Sequence, residues 1–318
     1  MRVVVTGGAG FLGSHLCFSL AGAGHTVLSM DDLSHGVNTF TGQHAKKIDF
    51  QEIDVSNTNS VSMICDFKAD AVFHLADVSA ASPAFDTGLF GKYSDALTNV
   101  LQASVAAKVK KFVYASSADY LFGRQCEMPV NDATKSMPAN LYGVHKYACE
   151  RQVSWMASKH HLRWAALRLP YVYGPSARHL CKRIRRGYCF VSEALLRRRR
   201  YVLRIASDGN QSRDFLWIAD AVSAMEMAMR DRCLVGAVNV GTGIETSINK
   251  VLAKLEELKG RKLRVERLYK KKDDVPRSRV DSSVMREHRW QPKTGIVSGL
   301  EILVANGVET TFDEGDAT

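Results

Sequence analysis

No apolar run in the 318 residues reaches the roughly 18 positions that a membrane-spanning helix needs. The opening MRVVVTGGAG holds only a short apolar stretch and runs straight into glycines, without a cleavage-type segment. It does not read as a secretory signal, and a cytoplasmic protein is expected. Cysteine is scattered rather than patterned. Cys17, Cys65, Cys126, Cys149, Cys181, Cys189 and Cys233 are odd in number and include no CxxC pair. This argues against a disulfide framework or a zinc site and for thiols in a reducing compartment. No internal repeat, low-complexity tract or Pro/Gly/Ser linker is present, so neither a repeat array nor two independent domains is expected. Negative charge is scarce in one place: residues 178–204 carry ten Lys or Arg against the single acid Glu193, a net of +9 in a chain of net +10. Such a segment suits an anionic partner, a nucleic acid or a nucleotide diphosphate, or else coats a solvated helix.

What is present is an alternation. Six β-rich runs, RVVVT (2–6), HTVLSM (25–30), FQEID (50–54), DAVFHLA (70–76), KFVYASS (111–117) and RWAALRLPYV (163–172), are separated mostly by stretches with helical character near 12–23, 58–67, 88–107 and 140–160. Alternating strands and helices predict βαβ units and a parallel sheet. Consecutive apolar positions in DAVFHLA and KFVYASS predict burial on both sheet faces. After Gly174-Pro175 the order loosens. A basic helix is expected near 179–198, strands at 201–207, 215–218, 237–243 and 263–269, and helices at 219–230 and 246–259. The acidic tail from residue 308 reads as frayed. The predicted fold is α/β: a doubly wound parallel sheet over 1–172 with a return segment near 213–243, and a smaller C-terminal α/β lobe within 173–318.

VVVTGGAGFLGSHL places Gly7, Gly10 and Gly13 between the first strand and a helix, followed by Phe11, Leu12 and the rest of that helix. Glycines there allow a tight turn and close backbone approach to a pyrophosphate, and the helix start offers free N–H groups. Asp31 lies 18 positions beyond Gly13, at the end of the second strand, with Asp32 next. A carboxylate there can accept from an adenosine ribose and would repel a 2′-phosphate, which favours NAD over NADP. Asp54 and Val55 fall where an adenine edge would lie. Leu75 and Ala76 of HLAD fall near the nicotinamide half.

Tyr142 and Lys146 in YGVHK are four apart and share one helix face. An ammonium beside a phenol favours the phenolate, which can remove a proton from a substrate hydroxyl as the carbon is oxidised. KFVYASS offers Ser116 and Ser117 as hydroxyl donors, and Ser117 is preferred.

With these motifs in hand, the chain resembles the extended short-chain dehydrogenase/reductases. The likeness is to the NAD-dependent epimerase/dehydratase group of nucleotide-sugar enzymes, of UDP-galactose 4-epimerase type. TGGAGFLGSHL, HLAD, KFVYASS, YGVHK, LRLPYVYGP, SDGNQSRDFLWIADA, NVGTG and RSRVDSS…HRWQPK carry the likeness over nearly the whole length. The resemblance implies a Rossmann-type domain, bound NAD, a Ser/Thr–Tyr–Lys triad at Ser117, Tyr142 and Lys146, and often a homodimer. Counting back from Gly123 instead of along the strand would put Ala118 in the serine's place. The resemblance also implies a diphosphate clamp at Arg213 and substrate contacts at Lys271 and Asp274. It departs from the family pattern at Tyr171, where asparagine is usual, and at Tyr93, near the place of another asparagine.

The expected activity is 4-epimerisation of a UDP-hexose or UDP-hexuronate through a transient 4-keto sugar with recycled NAD. A 4,6-dehydratase, a decarboxylase and a non-catalytic NAD-binding protein are the alternatives. Dehydratases of the family carry Asp-Glu after the triad residue, and here the pair is Ala118-Asp119. Decarboxylases often carry Glu at the place of Asp119.

Overall fold

The computed structural model describes residues 1–40, 42–77, 87–123, 127–177, 202–269, 275–306 and 309–310. Seven parallel strands form the main sheet: β1 (Arg2–Thr6), β2 (Thr26–Asp31), β3 (Ile48–Glu52), β4 (Ala71–His74), β5 (Lys111–Ser117), β6 (Trp164–Leu169) and a late strand, Gly236–Asn239. Their spatial order is 236–239, β6, β5, β4, β1, β2, β3. The order reverses between β1 and β4, which opens a crevice at their carboxyl ends.

Both faces of this sheet are covered. Val3, Val4 and Val5 are successive residues, point to alternate faces, and are all fully buried. One face packs on α1 (Phe11–Gly22) and the helix Ile218–Arg230, with Leu16, Leu20, Met225 and Met229 in the shared core. The other packs on α3 (Asn59–Phe67), α4 (Thr87–Ala106) and α6 (Leu141–His160), around Ile64, Leu97, Leu101 and Val153. Between β3 and β2 lies the short α2 (Gly42–Ala45), and α5 (Asp119–Phe122) directly follows β5. No helix among the described residues is long and apolar enough to cross a membrane.

The run RWAALRLPYV does not form one strand. β6 stops at Leu169, and β7 (Tyr171–Tyr173) joins a different, three-stranded sheet with β10 (Ser212–Trp217) and β12 (Glu245–Ser247). Pro170 lies at the break, where its missing N–H and fixed φ end the ladder. Two short parallel pairs complete the smaller lobe: β8 (Ser176–Ala177) with β14 (Glu309–Thr310), and β9 (Val202–Ala206) with β13 (Arg264–Leu268). With the strand Gly236–Asn239 taken as β11, chain order is complete. The 218–230 helix is α7, and α8 (Ile248–Lys259), α9 (Ser283–Glu287) and α10 (Ile296–Asn306) follow. Phe215, Trp217, Leu252, Leu255, Leu300 and Leu303 form the lobe's own core. The expected basic helix at 179–198 lies outside the described residues, as does most of the expected frayed tail.

Candidate active site

A cleft of about 440 Å³ runs along the carboxyl ends of the sheet and under the smaller lobe. Gly7, Gly10, Phe11, Leu12, Gly13, Asp31, Asp32, Asp54, Val55, Leu75 and Ala76 line its sheet side, so every residue singled out for dinucleotide contact meets in one place. Gly7 has φ +71°, and a Cβ there would stand 2.7 Å from the Ala76 amide nitrogen. Only glycine lets this turn lie against the β4 end. Gly10 precedes α1 with no side chain capping it, which leaves the first-turn amides for an anion.

The end of the cleft at β2 and β3 is built from carboxylates. Asp31 is buried and accepts from the Ala9 amide at 3.0 Å and the Leu33 amide at 2.9 Å. Burial pushes its carboxyl up, and these two amides pull it back part of the way. Lys92, on α4, reaches Asp32 at 3.0 Å and Asp54 at 2.8 Å. Burial works against ionisation of Asp32, yet Ser34 and Lys92 hold it below its ordinary value. A glycine cradle, an uncapped helix start and a buried carboxylate at the end of β2 fit a dinucleotide.

At the other end stand the proton-transfer candidates. Asn140 caps α6 by accepting from the Gly143 amide at 2.9 Å. A Cβ at Gly143 would come within 2.3 Å of the Tyr120 carbonyl, so α6 approaches α5 as closely as backbone allows. That approach sets the Tyr142 ring edge-on to Tyr120, with centroids 5.5 Å apart. Lys146 is 4 % exposed. Its Nζ lies 5.6 Å from the Tyr142 ring centre and donates to the Ala115 carbonyl at 2.8 Å.

The two strand-end serines have different partners. Ser116 donates its hydroxyl to Glu150 at 2.6 Å, inside a buried ion pair of Glu150 with Arg168. Both Ser116 and Ser117 line the cleft. Ala118 packs with Leu121, Phe122, Val130 and Val280, and is not among the cleft-lining residues.

Across the cleft, β10 supplies Arg213, which is buried and donates to the Ser212 carbonyl at 2.7 Å. Its Nε is 3.8 Å from Asp119. Ser278 donates to the same carboxylate. Burial raises the Asp119 carboxyl, while Arg213 and Ser278 pull it down. Tyr171 is half-buried at the rim, its ring 5.1 Å from Phe215, and Tyr93 also lines the cleft. Lys271, Asp274 and the arginine-rich segment up to residue 200 lie outside the described residues.

Several cleft residues were not singled out from sequence: Asp77, Lys92, Tyr120 and Gln211. Asp77 belongs to the recognised HLAD run, but nothing local marks it, because its partners lie on β5 and α6. Lys92 carries no motif at all.

Residues 3–241 match the NAD dependent epimerase/dehydratase family. The UDP-glucose 4-epimerase of Mycolicibacterium smegmatis is 30% identical over 313 residues, covering 94% of this chain and 96% of that one. The Thermus thermophilus UDP-glucose 4-epimerase, solved with NAD, superposes with TM-score 0.82 at 26% identity over 98% of this chain and 99% of that one. MoeE5, solved with NAD and UDP-glucuronic acid, superposes with TM-score 0.81 at 28% identity over 96% and 98%. The glycine cradle, the Tyr-Lys helix face and these likenesses agree: the chain belongs to the NAD-dependent epimerase/dehydratase family, whose cofactor is NAD.

Proposed function

We propose that this protein is a nucleotide-sugar 4-epimerase acting on a UDP-hexose or UDP-hexuronate. One observation carries the reading. Tyr142, Lys146 and Ser117 line one end of the cleft that Asp31 lines at the other, and Arg213 faces it from the smaller lobe. Ser117 donates to the reacting sugar oxygen, and Tyr142 takes the hydroxyl proton and later returns it. Lys146 keeps positive charge beside the phenol and offers a donor to the nicotinamide ribose. Bound NAD supplies a reversible two-electron acceptor. Gly7, the α1 amides, Asp31, Asp54 and Val55 would hold it. Arg213 suits the substrate diphosphate, because a guanidinium presents a planar fork of donors. The 4-keto sugar turns over between the two half-reactions, so no net oxidation results.

Asp119 weighs against dehydration. It is the one acid directly after Ser117-Ala118, where dehydratases of the family carry Asp-Glu. It lines the cleft and is engaged by Ser278 and Arg213, and the decarboxylase alternative stands beside the epimerase. A homodimer is part of the proposal. Leu141, Val144, Tyr147 and Trp155 are exposed apolar residues along α6, and Trp155 is 59% exposed. An exposed apolar helix face suits a second copy.

The test is incubation with UDP-, dTDP-, GDP- and CDP-sugars without added cofactor, followed by NMR of the sugar protons. A 4-epimer from one substrate supports the reading. A keto sugar or a pentose would replace it with the lyase reading. Silence with NAD bound would favour a non-catalytic protein.

A further inference from the structure

Asp77 ends β4's loop at the floor of the cleft, with its side chain 7% exposed. Its Oδ2 lies 2.7 Å from Lys146 Nζ and accepts from the Tyr114 hydroxyl at 3.3 Å. Its Oδ1 lies 3.2 Å from His145 Nε2. Lys146 also donates to the Ala115 carbonyl and sits 4.9 Å from the Tyr114 ring centre. Asp77 and Ala115 thus occupy two of the ammonium's three N–H donors, leaving one for the cleft that Lys146 lines.

We infer that Asp77 is a positioning residue for proton transfer: it holds the Lys146 ammonium against the cleft wall and cancels part of its charge, so that the Tyr142 phenol keeps its proton to higher pH. The inference rests on Tyr142 being the proton-transfer group. Burying a lone ammonium is costly, and a paired carboxylate offsets that cost. Burial works against both charges, yet the pair holds Asp77 below and Lys146 above their ordinary values.

Among the described residues, the other titratable groups packed here are His74 on β4, Tyr114 on β5, Tyr120 on α5, and His145 and Cys149 on α6. Tyr93 on α4 sets its ring edge on His145. Burial pushes His74 down to about 3 and Cys149 up to about 12, and raises Tyr114 as well. None of those three changes charge near neutral pH. Asp119, the next acid along the cleft, faces Ser278 and Arg213 instead.

Removing a neighbouring negative charge makes a phenol more acidic, by about one pH unit or more when the charge lies within roughly 4–6 Å. Lys146 keeps its Ala115 bond and two ring faces when Asp77 is neutralised, so the ammonium persists and acts on Tyr142 unopposed. The experiment is an ultraviolet phenolate titration of the full chain, with Tyr142→Phe subtracted to isolate one tyrosine. In Asp77→Asn the Tyr142 midpoint should fall by about one unit, roughly tenfold in acidity. In Asp77→Glu, which restores the carboxylate, it should stay near the parent value. Should Asp77→Asn fail to fold, Asp77→Ala carries the same expectation. An unchanged or raised midpoint in a folded neutral variant overturns the inference.

With a sugar that turns over, the acid limb of kcat should move down by the same amount while KM holds. A merely structural defect would lower kcat without moving the limb. The titration needs no sugar, so the two readings fail separately. A shifted midpoint with no turnover leaves Asp77's role standing and removes the epimerase. Turnover with an unshifted midpoint does the reverse.

Discussion

Tyr142 and Ser117 meet the same cleft from different elements, and their replacements should fail in different ways. Tyr142→Phe removes the proposed proton acceptor but keeps the ring that packs edge-on to Tyr120. Turnover should fall on the order of 10²- to 10⁴-fold, with NAD binding and melting temperature unchanged. Loss of NAD binding instead would assign Tyr142 to cofactor retention. Ser117→Ala should cost on the order of 10²-fold in kcat, the loss of one donor to a reacting oxygen. Ala118→Ser should rescue none of it. The added hydroxyl would sit among Leu121, Phe122, Val130 and Val280 and cost about 1–3 kcal/mol of stability. Recovery of activity in the Ser117→Ala/Ala118→Ser double variant would show that the serine role belongs to position 118. Sequence alone left both counts open, because the loop to Gly123 has one residue more than the family pattern. Register supports the strand count: Ser117 pairs with Leu169 at the strand end, and the chain turns into α5 at the next residue.

Helices and strands of the sheet were legible because their signals are local. A strand buried on both faces reads as a continuous apolar run, and α6 carries the Tyr-Lys spacing. Where the reading departed from the structure, the cause was a tertiary partner. The run 163–172 looks uniformly β-forming, but its two halves hydrogen-bond to different sheets on either side of Pro170. β12 and the short α5, α9 and α10 carried weak patterns and were not foreseen. At this scale Gly143 is decisive. Gly143→Ala would force α6 away from the Tyr120 carbonyl, for about 1–3 kcal/mol of overpacking. A denaturant melt should show that loss, and kcat should drop with it because Tyr142 rides on the same turn. A variant that loses stability while kcat holds would mean the approach of α5 and α6 serves packing alone.

Charge and surface decide the behaviour of the whole molecule. In the smaller lobe, Glu245 on β12 is held down to about 2, chiefly by its bonds from Arg277, against the opposing effect of burial and with Ser212 adding to it. A carboxyl depressed in the fold contributes stability above its ordinary pKa of 4.5, and that contribution is lost as pH falls toward about 2. Glu245→Gln should therefore be less stable than the parent at neutral pH. The gap should narrow below 4.5 in denaturant melts taken across pH. A gap that stays constant with pH would mean the ion pair contributes through packing. On the α6 surface, Val144→Glu with Trp155→Glu should convert a dimer to a monomer in sedimentation velocity, because like charges would replace the exposed apolar face. A parent protein that sediments as a monomer at every concentration would remove the homodimer from the proposal.

By itself the sequence determined the fold class, the glycine turn with Asp31 at the end of the next strand, and the Tyr142–Lys146 pair. Each rests on residues close in the chain, where backbone geometry converts spacing into position. Tertiary structure alone decided which partners those residues keep. Lys92 on α4 bridges Asp32 just beyond β2 and Asp54 just beyond β3, Asp119 meets Arg213 from the other lobe, and Asp77 meets Lys146 from the loop after β4, 69 residues upstream. Such pairs are set by sheet order and by which helix covers which face. A single sequence does not write those relations at any fixed spacing, and electrostatics acts through space rather than along the chain.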